Sequence, residues 1–165
     1  MTKTTALSAA AMACLLVVAA TARAQDTAAI TRADRIAILK AAGASPRGDG
    51  WVICGEDPNT SGASIQEVRD LNGDGRPEAV VSEDGTFCHG FVGTGYQLLS
   101  RQQDGRWTLV DSNSGIPEFL ETKGEGGWPD ISVGGPGFCF PVMRWDGSAY
   151  VPNRHEYEGK ACEPE

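Results

Sequence analysis

Residues 70–81 have the sequence Asp70-Leu71-Asn72-Gly73-Asp74-Gly75-Arg76-Pro77-Glu78-Ala79-Val80-Val81. In its first half, side chains that carry oxygen occupy alternate positions, and the Asn-Gly and Asp-Gly pairs favour tight turns between them. The last three residues follow the proline closely and have the composition of a strand rather than of a helix. The segment therefore predicts a polar turn that leads directly into a β-strand.

The same polar turn has the spacing of a calcium loop. Calcium takes about six to eight oxygen ligands, which the helical loop supplies from positions 1, 3, 5, 7, 9 and 12. Position 12, counted from the first aspartate, is Val81, whereas the helical loop requires Glu there. We therefore predict a calcium loop between two strands, with ligands at positions 1, 3, 5, 7 and 9, namely Asp70, Asn72, Asp74, the Arg76 carbonyl and Glu78.

This segment resembles the FG-GAP or VCBS type of repeat, a calcium-loop blade motif found in integrin-like propellers and in many exported bacterial proteins. In those repeats an Asp-x-Asn-x-Asp-Gly-x-Pro-Asp/Glu loop leads into an apolar strand, and residues 70–81 follow that pattern. The resemblance implies a blade-like β fold, Ca²⁺ as the bound metal, and the same five ligand positions. The alternative is a solvated acidic turn with no metal.

The segment 1–24 has the order of a secretory signal peptide. Lys3 precedes an apolar run over positions 6–20, and Ala22-Arg23-Ala24 is a small-x-small cleavage site. The apolar run continues after Cys14, which disfavours a lipoprotein site. We expect residues 25–165 to form a single periplasmic or secreted domain without a transmembrane segment.

The charge of the chain is strongly acidic. It has 14 basic and 22 acidic side chains and a net charge of −8, and removal of Lys3 and Arg23 leaves 12 basic against 22 acidic side chains, a net charge of −10. This charge opposes binding to nucleic-acid phosphates. It suits calcium binding, or a basic protein partner that electrostatic attraction steers toward the surface.

Four cysteines follow the signal peptide, and neither a Cys-x-x-Cys pair nor a Cys/His cluster with zinc spacing is present. An even number of cysteines in an exported protein predicts two disulfides. Of the three connectivities that four cysteines allow, we favour Cys54 with Cys88 and Cys139 with Cys162, because each pair then links one half of the chain.

Residues 25–50 are expected to form a helix and a linker. Thr31 can cap the helix, with Asp34 at the capping-box position, and Gly43 ends it. Beyond residue 50 the chain contains short β-type runs between clusters of Gly, Pro, Asn and Asp. Strands are predicted at 51–54, 65–69, 78–83, 96–101 and 106–110, and then at 118–123, 130–133, 138–145 and 149–151.

The two halves of this β region resemble each other. The segment 75–81 recurs at 127–133, and Phe87-Cys88 recurs as Phe138-Cys139. We therefore predict a first β meander with the calcium loop at 51–112 and a second, degenerate meander at 113–165. The calcium positions of the second become Thr122, Gly124 and Gly126, so we expect one calcium site.

Two four-stranded meanders cannot close a propeller, because a ring takes at least about four blades. They must pack on each other or on the helix to bury their apolar faces. The predicted fold is mainly β: two four-stranded antiparallel meanders packed as a small sandwich-like domain, with one short N-terminal helix.

The chemistry of the remaining residues does not define an activity. His89 and His155 lack a recognisable nucleophile or metal partner in the sequence, so we predict no catalytic residue. Trp128 replaces Arg76 at the equivalent position of the second repeat, and we predict it to be an exposed aromatic residue that binds a partner.

The leading interpretation is an exported, non-enzymatic, calcium-binding module that contacts a protein or glycan of the cell envelope. The alternatives are a small secreted hydrolase that uses carboxylates and a purely structural component of the envelope.

Overall fold

The structure, a computed structural model, describes residues 30–164. The predicted signal peptide lies outside the described residues. The fold is mainly β, with antiparallel sheets of two, four and five strands, one of them curled into a half-barrel, a short N-terminal helix and a second short helix. The prediction of a mainly-β fold with an N-terminal helix is therefore confirmed.

The elements follow one another in a simple order. They are α1 (Arg32–Ala41), β1 (Ser45–Arg47), β2 (Gly50–Val52), β3 (Ser64–Arg69), β4 (Glu78–Asp84), α2 (Thr86–His89), β5 (Thr94–Arg101), β6 (Trp107–Ser114), β7 (Ile116–Lys123), β8 (Pro129–Gly134), β9 (Phe140–Trp145), β10 (Tyr150–Tyr157) and β11 (Lys160–Ala161). Strands β1 and β2 form a hairpin, β3 to β6 form the four-stranded sheet, and β7 to β11 form the five-stranded sheet.

Helix α1 begins and ends where the sequence predicts. The Thr31 hydroxyl accepts a hydrogen bond from the Asp34 amide at 3.0 Å and donates one to the Asp34 carboxylate at 2.8 Å. Beyond the C-terminus, Gly43 adopts a positive φ of 85°, a conformation that glycine tolerates best. The helix buries Ile38 and Leu39 against the four-stranded sheet.

The four-stranded sheet is apolar on both faces. Ala79 and Val81 of β4 belong to the core that includes Ile38 of the helix, whereas Val80 belongs to the core that includes Ile131 of the five-stranded sheet. Successive side chains of a strand point to opposite faces. The unbroken apolar run after the polar turn therefore reflects a strand that is covered on both sides.

The second half of the chain differs in detail from the prediction. Its sheet has five strands rather than four, because Lys160–Ala161 pairs with the end of β10. In the first half of the chain, helix α2 (Thr86–His89) was not predicted. Both disulfides have the expected connectivity, Cys54 with Cys88 and Cys139 with Cys162, and their Cα atoms are 6.1 and 5.7 Å apart.

Candidate metal centre and the adjoining groove

The predicted calcium loop lies between the end of β3 and the start of β4, and its polar side chains bond to its own backbone. The two carboxylate oxygens of Asp70 accept hydrogen bonds from the amides of Gly73 and Gly75 at 2.7 and 2.9 Å. Asn72 accepts from the Asp74 amide at 2.9 Å, and Asp74 accepts from the Arg76 amide at 2.8 Å. These bonds fix the side-chain oxygens of the first three ligand positions around one turn.

Glu78 lies beneath this turn and is only 1% exposed. Its carboxylate accepts hydrogen bonds from the Leu71 amide at 2.8 Å and from the hydroxyl of Ser100, the residue opposite it on β5, at 2.9 Å. Burial raises the pKa of Glu78, these two hydrogen bonds oppose the increase, and the charges of Asp74 and Asp70 add to it. The loop therefore gathers three carboxylates, one of them buried.

Among residues 30–164, one cation, Arg76, forms an ion pair with this group. The Arg76 guanidinium forms an ion pair with the Asp74 carboxylate and also donates a hydrogen bond to the Arg101 carbonyl at 3.1 Å. The hydrogen bonds that the Glu78 carboxylate accepts come from the Leu71 amide and the Ser100 hydroxyl, which are neutral groups. The carboxylate charge of the loop is thus only partly balanced.

The ligand atoms that the loop offers are oxygens, which suit calcium better than a softer metal. Within residues 30–164, no group of three or more His, Cys, Asp and Glu side chains is arranged to hold a metal ion. A calcium ion would instead be held by the Asp70 and Asp74 carboxylates, the Asn72 amide oxygen and the Arg76 carbonyl, which are oxygen donors of the kind it prefers. Glu78 would support the loop from below through Leu71, a different role from the predicted direct ligand.

The equivalent position of the second half is built differently. Asp130 of β8 is fully buried, yet it accepts hydrogen bonds from Arg144 at 2.8 and 2.9 Å, from Arg154 at 2.6 Å and from the Thr122 hydroxyl at 2.6 Å. Burial by itself would raise the pKa of Asp130, but the hydrogen bonds from these three residues hold the pKa below its usual range. Two guanidinium groups therefore balance this carboxylate.

The turns that precede β4 and β8 touch each other. A Cβ atom placed on Gly127 would lie 2.5 Å from the carbonyl oxygen of Asn72, and Gly127 has a positive φ of 80°. Only a residue without a side chain allows this close approach. The turn at 125–127 is therefore packed directly on the candidate calcium loop.

A groove of about 310 Å³ opens beside this contact. Asn72, Asp74 and Arg76 of the loop line it together with Trp128 and Trp145. The other side chains that line the groove are four polar and two aliphatic ones, and they are Ser100, Gln102, Thr108, Ser148, Leu109 and Val110. The groove thus joins the candidate calcium loop to a pair of aromatic rings.

Tyr150 packs against the pair of rings formed by Trp128 and Trp145. The ring centroids of Trp128 and Trp145 are 5.3 Å apart, and the centroid of Tyr150 lies 5.3 Å from that of Trp145. The Tyr150 hydroxyl donates to the Pro129 carbonyl at 2.9 Å. Trp128 is half-buried rather than exposed as predicted, because it packs on this core while lining the groove.

Trp145, Ser100 and Gly127, in the groove or beside it, were not predicted as site residues from the sequence. Ser100 reaches the loop through the pairing of β5 with β4, whereas the place of Trp145 of β9 depends on how the two sheets pack. Gly127 could have been found, since it belongs to the segment that repeats the region of the calcium loop.

The histidines lie elsewhere. His89 Nδ1 is 3.2 Å from the Ser114 hydroxyl, and its Nε2 is buried without a hydrogen-bond partner in the described part of the chain. A Ser–His pair acts as a nucleophile and base when a third group orients the imidazole, and the described residues supply no such group to Nε2. His155 lies in β10, opposite Pro141 of β9.

Neither the protein-family models, nor the curated proteins, nor the solved structures with which the chain was compared gave a match. No helix among residues 30–164 is long and apolar enough to cross a membrane. What the protein does must therefore be inferred from its own residues.

Proposed function

We propose that this protein is an exported, non-enzymatic, calcium-binding β module that contacts a protein or a glycan of the cell envelope. Its two larger sheets would be a pair of blade-like repeats packed in a sandwich-like manner, of which the first keeps its calcium loop. The two disulfides are compatible with export.

The proposal rests on one observation: in the first repeat, the negative charge of the carboxylates exceeds the positive charge of the basic group that contacts them. Hydrogen bonds to the backbone of one turn hold Asp70 and Asp74, and both of their charges raise the pKa of the buried Glu78 carboxyl. Asp130, at the equivalent place of the second repeat, has two arginines instead. A calcium ion held by the loop would supply the charge that Arg144 and Arg154 supply in the second repeat.

A matched turn separates this arrangement from an ordinary acidic turn. The sequence Asp-Gly-Arg occurs at 74–76 and again at 104–106, and both aspartates accept a hydrogen bond from the amide two residues later and pair with the arginine. At the places that correspond to Asp70 and Glu78, the second turn has Ser100 and Thr108, which carry no carboxylate. Asp104 is therefore the natural control for Asp74.

Thermal unfolding in calcium and in chelator tests the proposal. A ligand that binds only the folded state adds about 2.7 kcal/mol at a hundredfold excess over Kd, so calcium should raise Tm by about 8 °C in a domain of this size. Asp74→Asn should abolish the increase, and Asp104→Asn should keep it.

An unchanged Tm in calcium would contradict a stabilising metal. If chelation instead abolished a measurable hydrolytic activity without moving Tm, the hydrolase alternative would replace the proposed function.

A further inference from the structure

We propose that the groove between the calcium loop and Trp128 binds a neutral saccharide, an inference that rests on the proposed function because it takes the calcium-ordered loop as one wall. The groove volume of about 310 Å³ suits a small part of a sugar chain. Binding sites of this kind combine aromatic surface with a few polar groups that fix orientation.

The indole rings provide the apolar contact. Trp128 and Trp145 are both half-buried, and they pack on each other and on the buried Tyr150. The negative face of an aromatic ring attracts the weakly positive C–H groups of a pyranose. Because these rings are already held in place, a ligand would lose little affinity to ordering them.

The polar lining provides groups for sugar hydroxyls. Thr108 and Ser148 carry hydroxyls, and Gln102 carries an amide that donates to the Thr108 hydroxyl at 2.8 Å. The charged side chains that line the groove are Asp74 and Arg76, and they form an ion pair with each other. This balance, together with the acidity of the whole chain, favours a neutral ligand over an anionic one.

The calcium loop is in direct contact with the turn that carries Trp128 of the groove. Gly127 lies against the carbonyl of Asn72, and the next residue is Trp128. A calcium ion that orders the loop would therefore also hold the turn that carries the first indole. Saccharide affinity should be higher in calcium than in chelator.

The experiment is a titration followed by tryptophan fluorescence, with cellobiose, maltose and N,N′-diacetylchitobiose as neutral probes and tetralysine as a basic peptide. In calcium, at least one disaccharide should give a saturable change. The variant Leu109→Glu places a charge on an exposed residue of the groove. It should weaken disaccharide binding by about tenfold or more, equivalent to about 1.4 kcal/mol.

Ile116→Glu is the matched control, because Ile116 is also an exposed aliphatic residue on a strand and does not line this groove. Calcium occupancy is measured by calorimetry on the same samples. If calcium binds and no disaccharide does, or if tetralysine alone binds, the saccharide inference is overturned and the proposed function stands. If calcium itself fails to bind, the proposed function fails. Equal disaccharide affinity in calcium and in chelator would overturn the coupling between loop and groove.

Discussion

At the scale of single residues, Glu78 and Asp130 occupy equivalent places at the starts of β4 and β8, but opposite charges surround them. Aspartates lie near the first, and arginines bond to the second. The pKa of Glu78 is raised by burial and by those aspartates, whereas the pKa of Asp130 is lowered because the hydrogen bonds outweigh burial. The two carboxylates should therefore affect stability with opposite dependence on pH.

The pKa of Glu78 is raised above its usual value of 4.5 in the folded state. Between these two pKa values, the folded state binds more protons at Glu78 than the unfolded state does. Stability therefore falls as pH rises through the window up to the raised pKa. In chelator at neutral pH, Glu78→Gln should consequently have a higher Tm than the wild type. The difference should disappear when the pH is lowered below about 4, where the carboxyl is neutral in both states. Calorimetric scans over a pH series measure this.

The variant Asp130→Asn is the control for Glu78→Gln, because the charge of Asp130 should affect stability in the opposite direction. The pKa of Asp130 is lowered from its usual value of 3.8, so its charge stabilises the fold above that value and this stabilisation is lost as pH falls. The variant removes the charge that pairs with Arg144 and Arg154, of which Arg154 keeps Glu156 as a partner, and it should unfold at a lower temperature at neutral pH. A Glu78→Gln variant that is less stable than the wild type in chelator would show that the buried charge is compensated within the protein.

At the scale of elements, the sequence predicted those that carry their own local signals. The cap formed by Thr31 and Asp34 defines the start of α1, and the apolar run after Glu78 defines β4. Helix α2 follows Gly85, which has no side chain to cap it, and β11 has only two residues, Lys160 and Ala161, paired with the end of β10. Such short elements depend on tertiary contacts and disulfides, so the sequence alone does not indicate them.

The contact between the two turns is the element-level feature with the clearest consequence. Gly127→Ala would bring a Cβ to 2.5 Å from the Asn72 carbonyl. The variant should be less stable by about 2 kcal/mol, since both backbone strain and a clash oppose it. Because Trp128 follows this turn directly, we expect calcium to change the tryptophan fluorescence of the wild type, and the variant should reduce that change. Denaturant unfolding and a calcium titration measure the two effects.

Gly105→Ala is the matched control for that variant. Gly105 has a φ of 83°, close to the 80° of Gly127, but no atom lies within 4 Å of the Cβ position. Gly105→Ala should lower the stability by only about 1 kcal/mol, which is the cost of the backbone strain. Equal losses in the two variants, with the calcium response intact in both, would show that the turns are not coupled.

At the scale of the whole molecule, helix α1, the four-stranded sheet and the five-stranded sheet form successive layers with a core on each side of β4. The polar turn of the candidate calcium loop could be located from the sequence because its residues lie within one short continuous segment, 70–78. The groove could not be predicted, because Trp145 and Asp74 line it together only through the packing of two sheets. The half-buried state of Trp128 has the same origin.

The central claim is that residues 70–78 hold one calcium ion, and isothermal titration of the calcium-free protein with calcium tests it most directly. We expect a single site, whose Kd can be as weak as about 0.1 to 1 mM for an extracellular loop. The double variant Asp70→Ala/Asp74→Ala should show no binding, while Asp104→Asn should bind as the wild type does. Absence of binding at millimolar calcium, or unchanged binding in the double variant, would contradict the claim.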